Sequence, residues 1–138
     1  MFETELMDVQ SSIISICSEL AQDKADHIFA YLYTDNAAYY FNAFFRFGKE
    51  TWDIDELEYP KDTIDYFNQL VKTEADRFPE VFDKSKREKP VLCKMRFRCK
   101  DQKFKFELKY KKDCSMNFDP EQDFRDWLNS VKRKPILF

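Results

Sequence analysis

The chain has 138 residues, 43% of them apolar and 36% charged. That mix fits one globular domain over residues 1–138 and is too apolar for a disordered chain. Gly48 is the only glycine and His27 the only histidine. A phosphate-cradling loop or dinucleotide turn needs several glycines, and nucleophile–His pairs and multi-His zinc sites need imidazoles. Composition therefore points away from catalysis and towards binding.

The net charge of −3 conceals a split. Residues 1–85 hold 18 acidic and 7 basic groups, and residues 86–138 hold 8 acidic and 16 basic ones. A small chain this polarised is expected to have an electrostatic partner on at least one side.

Residues 5–21 predict a helix, with Leu6, Val9, Ile13, Ile16 and Leu20 in one apolar stripe. A polar connection follows at 22–26. Residues 27–34 and 38–47 read as a hairpin turning at Asp35-Asn36, residues that tolerate left-handed geometry. Aromatics fall on both faces of the second strand, which is expected to be central and at least partly covered on each side. Trp52 to Leu57 is a short strand or an acidic loop.

A second helix is predicted over 61–78, with Ile64, Phe67, Leu70, Val71 and Phe78 inward, Asp62 as its cap, and Pro79 ending or kinking it. Residues 83–90 form a charged linker. Val91, Cys93, Met95, Phe97 and Cys99 then alternate with Leu92, Lys94, Arg96, Arg98 and Lys100. After a turn at Asp101-Gln102, Phe104, Phe106, Leu108 and Tyr110 alternate with Lys105, Glu107, Lys109 and Lys111. This is a hairpin with one apolar and one basic face. Asp119-Pro120 opens a last helix that buries Phe124, Trp127, Leu128 and Val131. The apolar tail Pro135–Phe138 is expected to pack back on the body. The fold class is α+β: an antiparallel sheet of four or more strands, helices on one face, order α-β-β-(β)-α-β-β-α.

Cys17, Cys93, Cys99 and Cys114 lack C-x-x-C spacing and read as reduced thiols of a cytoplasmic protein. The acidic start lacks the basic and apolar regions of a signal peptide, and no apolar run approaches a membrane span. No cofactor and no metal are expected.

Two constellations stand out. In the acidic segment 50–65, Asp53, Asp55, Glu56 and Glu58 are interleaved with Trp52 and Tyr59. These six are the candidate partner-binding residues: charges that imitate a nucleic-acid backbone, with aromatic anchors, fit the basic cleft of a nuclease. The plainer reading is a solvated loop leading into a helix whose first turn favours acids. The basic face of the 91–111 hairpin offers the alternative of a nucleic-acid-binding module. Against that, it lacks exposed aromatics for base stacking. His27 has no nucleophile motif near it, and the aromatics of 39–47 read as core.

The element order resembles the YezG-like immunity proteins, cytoplasmic antitoxins of secreted bacterial nuclease toxins. The resemblance rests on SSIISICSELAQDKAD, YYFNAFF at 39–45, DIDELEYPKDTIDYFNQLV, FKFELKY at 104–110 and WLNSVKRKPILF. It covers most of the chain in order. It departs from the family at the tail, where Pro135 precedes Ile136-Leu137 and no glycine stands before them, and in its more basic second hairpin. The resemblance implies a non-enzymatic protein that binds a cognate toxin, including toxins of contact-dependent inhibition systems, and occludes its active site or substrate surface.

Overall fold

The computed structural model describes residues 1–133. The expectation for Pro135–Phe138 falls outside them. In chain order the elements are α1 (Phe2–Leu20), β1 (His27–Asp35), β2 (Ala38–Phe47), β3 (Glu50–Asp53), α2 (Lys61–Lys84), β4 (Leu92–Arg98), β5 (Lys103–Lys109) and α3 (Pro120–Arg133). Short 3₁₀ turns stand at Asp55–Leu57 and Lys111–Asp113. The 51–57 stretch is thus both things expected of it, a short strand and then a turn.

All five strands pair antiparallel in the order β3-β2-β1-β4-β5. The α+β class, the sheet and the element order agree with the sequence reading. The central strand is β1; β2 is interior but second from the edge.

The layering differs from the expectation of helices on one face. Ile28, Ala30 and Leu32 of β1 join Ala43, Phe45, Cys93 and Met95 in a core beneath α1 and α2. The intervening Phe29 and Tyr31 join Phe44, Leu92, Phe124, Trp127, Leu128 and Val131 in a second core beneath α3. A strand with large apolar residues at successive positions has two faces to bury, and one helical layer covers only one. The α3 core is mostly aromatic: Phe29 stacks on Phe44 at 4.4 Å, and Trp127 meets Phe44 edge-on at 5.0 Å.

Two helix boundaries are corrected. The N-cap of α2 is Pro60, without a side-chain cap, and Asp62 lies in the first turn. There its charge favours the helix dipole without closing the end. Pro79 lies inside α2, which continues to Lys84. A mid-helix proline removes one backbone bond at a cost of about 3 kcal/mol. Burial of Phe78, Val81 and Phe82 on either side of it offsets that cost.

With one glycine in the chain, left-handed positions fall to other residues. Asn36 and Ala37 both have positive φ, and they form the two-residue turn between β1 and β2. Gln22, Asp23, Glu58, Lys86 and Gln102 share that geometry.

Candidate partner-binding surface

The acidic segment leaves the sheet at its β3 edge. Strand alternation sends neighbouring side chains to opposite faces. Trp52 pairs with Phe45 and Asp53 with Phe44. Phe45 belongs to the α1–α2 core and Phe44 to the α3 core. Trp52 therefore lies on the α1–α2 side and Asp53 on the α3 side.

Asp53 is buried at 4% exposure and is not a charge presented to a partner, which corrects the sequence reading. One carboxylate oxygen accepts from Arg125 Nη1 of α3 at 2.9 Å; the other accepts from the Glu56 backbone N–H at 2.8 Å. Glu56 reciprocates: its Oε1 accepts from the Asp53 N–H at 3.0 Å. The same oxygen faces Lys132 Nζ at 3.4 Å. The reciprocal bonds have the pattern of a capping box, Asp-x-x-Glu, set one residue ahead of the turn's N-cap Ile54. Asp53 and Glu56 thus hold the turn's shape and tie it to α3.

Asp55 and Glu58 are different. The Asp55 side chain is 84% exposed, and Arg125 Nη2 touches it only at 4.0 Å. Glu58 is exposed and caps the turn in left-handed geometry at φ 53°. Asp62 and Asp65 continue the exposed charge into α2, Asp65 paired with Lys61 at 3.1 Å. Of the two aromatics, Tyr59 packs against the α1–α2 core, and burial raises its hydroxyl pKa. Trp52 is half-buried, and its indole N–H donates to Glu50 at 3.0 Å.

The six residues singled out from sequence are therefore neighbours with divided duties. Asp53 and Tyr59 serve the fold, and Glu56 does so through its bonds to Asp53 while its side chain stays exposed. Asp55, Glu58 and the edge of Trp52 face outward. Arg125 and Lys132, not among the site residues expected from sequence, line a 410 Å³ depression with Asp53, Asp55 and Glu56. They lie seven apart on α3, two turns along one face, a spacing legible only once the helix is known to lie over β3.

The basic hairpin is also partly committed. Lys94 pairs with Asp123 at 3.6 Å, and Lys94 and Arg96 lie over the Trp127 ring at 5.6 and 5.9 Å. Arg98 grips Asp101 through two bonds of 2.9 and 2.7 Å. Lys111 reaches Asp35 at 3.0 Å, joining the basic half of the chain to the acidic one. The four cysteines are free thiols. Burial pushes the Cys93 thiol up to about 12, and Cys17, also buried, rises too. Neither is a reactive thiolate at neutral pH.

Among the described residues no cluster of three or more His, Cys, Asp or Glu side chains is placed to hold a metal ion. No helix among them is long and apolar enough to cross a membrane. No protein-family model matches the chain, and no curated protein matches it.

Proposed function

We propose that the chain is an immunity protein, a non-catalytic cytoplasmic inhibitor that binds one cognate bacterial toxin, a nuclease domain. The reading rests on the charge split, the resemblance in element order, and one observation at the site. Asp55 and Glu58 face solvent on a turn that two other acids of the same segment bond together. Glu58 occupies a left-handed position that glycine or asparagine fills at lower cost. That geometry is shared with Gln22, Asp23, Lys86 and Gln102 and does not distinguish Glu58; what supports the reading is that Asp55 and Glu58 stay exposed beside the bonded pair of Asp53 and Glu56.

Inhibition requires no chemistry of this chain. Asp55, Glu58 and Asp62 meet cations that the toxin uses for nucleic-acid phosphates, with Trp52 as the aromatic contact beside them. Complementary charge speeds encounter, and the docked domain excludes substrate. A specific interface of this kind buries about 1,200–2,000 Å² in total.

The test is the affinity of the purified protein for the product of the gene adjacent to its own, measured for the parent and with Asp55, Glu58 and Asp62 together reversed to lysine. Losing a desolvated partner of a charge pair costs roughly 2–5 kcal/mol, so affinity falls at least about thirtyfold. Unchanged affinity in a variant that melts like the parent assigns the interface to another surface.

A further inference from the structure

The open edge of β5 points to a second contact, unrelated to the acidic turn. Phe104, Phe106 and Leu108 share the sheet face beneath α1 and α2; Phe104 and Leu108 pack at the margin of that core, and helical cover gives out over Phe106. Phe106 is 45% exposed, and Met7 across the gap is 57% exposed. Between α1 and β5 lies a 630 Å³ groove floored by Phe106 and Leu108 and walled by Phe2, Leu6, Met7 and Phe82.

The backbone direction of this edge follows from the ladder. Thr34 N–H donates to the Val91 carbonyl, and Cys99 N–H donates to the Asp26 carbonyl. Odd-numbered residues of β4 thus bond to β1, and the even-numbered ones bond to β5. Leu92, Lys94, Arg96 and Arg98 pair with Lys109, Glu107, Lys105 and Lys103. The N–H and C=O groups of Phe104, Phe106 and Leu108 are therefore the ones aimed out of the sheet.

We propose that β5 pairs antiparallel with β5 of a second copy of this chain, about a two-fold axis through Phe106. In that register Phe106 meets Phe106 and Phe104 meets Leu108, and each pair exchanges both backbone bonds. Lys105 then stands opposite Glu107, twice over, in the closer non-hydrogen-bonded positions. The strand sequence Lys-Phe-Lys-Phe-Glu-Leu-Lys is its own complement at every position but the ends, where Lys103 faces Lys109. Sliding the register by one residue on the axis shortens the overlap and sets Lys105 against Lys105. The end lysines keep the contact weak and stop the edge from pairing indiscriminately. A seven-residue overlap is a small interface, so the dimer belongs in about the 10–100 µM range.

Sedimentation velocity on the full chain, from about 10 µM to 1 mM, tests it. The expected result is a monomer–dimer equilibrium. Lys105→Glu sets carboxylates against carboxylates and weakens the dimer at least tenfold. Lys105→Glu with Glu107→Lys restores the pairs and returns the constant to within about threefold. Phe106→Lys abolishes association, and unchanged circular dichroism and melting exclude loss of fold. A monomer throughout the range overturns the proposal. So does a dimer indifferent to Phe106→Lys, or a double variant no tighter than Lys105→Glu alone.

Discussion

The two edges of this sheet meet water in opposite ways. At β3 the edge is four residues long, and its turn is tied down by Asp53, Glu56, Arg125 and Lys132. At β5 the edge is seven residues long, and a phenylalanine stands half in solvent. One edge is closed by polar bonds that use up part of its charge. The other is left apolar on one face and defended by lysines. The lesson concerns counting charge. The acidic segment looks uniform in sequence, yet folding buries Asp53 and bonds Glu56 into the turn while Asp55 and Glu58 stay exposed on it.

Four perturbations sharpen that contrast, from the largest expected effect to the smallest. Asp53→Ala strips Arg125 of its buried partner and leaves the Glu56 N–H without its acceptor. It should destabilise by roughly 2–3 kcal/mol in urea unfolding. Asp55→Ala, two residues away, should stay within about 0.5 kcal/mol. Equal losses at both positions would erase the distinction between spent and presented acids.

Glycine substitutions at the left-handed turns compare the edges directly. Glu58→Gly beside β3 and Gln102→Gly before β5 each relieve a strained backbone at φ 53° and 56°. Each should stabilise by about 1 kcal/mol, read as a higher melting temperature. Only Glu58→Gly should also weaken toxin binding. A Gln102→Gly variant that lost affinity would move the interface to the β5 edge.

Phe106→Ser should cost less than about 1 kcal/mol, because the ring is already half in water. A cost of about 3 kcal/mol or more, as for a fully buried phenylalanine, would mean that this face is covered.

The smallest effect belongs to His27, at the start of central β1. Burial lowers its pKa below 6.5, against the opposing pull of Asp26. The unfolded chain therefore takes up the proton first as pH falls. Stability is fully present above 6.5 and declines as pH drops through that value and towards the lower folded pKa. His27→Asn should flatten stability between about pH 7 and 5. An unchanged slope assigns it to other groups.

Much of this fold is local in origin. The stripe Leu6, Val9, Ile13 specifies α1, and the alternation from Val91 to Leu108 specifies the second hairpin. The Asp119 carboxylate that accepts from the Glu121 N–H at 3.0 Å caps α3 as its residue type foretold. The parts not legible were those set by distant residues. Asp53 and Arg125 are 72 positions apart, and nothing local says that they meet. The Asp53-x-x-Glu56 capping pattern was there to be read, and its meaning was hidden by the abundance of acids around it. Placing α3 on the far face depends on its pairing with Phe29 and Phe44, contacts between residues about 80 to 100 positions apart. Pro79 obeyed its neighbours: three buried side chains outweighed one lost backbone bond.

The central claim is that this chain silences a nuclease by occupying it. The most direct measurement is the nuclease activity of the product of the gene adjacent to this one, titrated with the purified protein at fixed substrate. The account predicts activity falling linearly to zero at one equivalent, with the Asp55, Glu58 and Asp62 triple reversal leaving the toxin active at that ratio. Full nuclease activity in the presence of excess protein would contradict it.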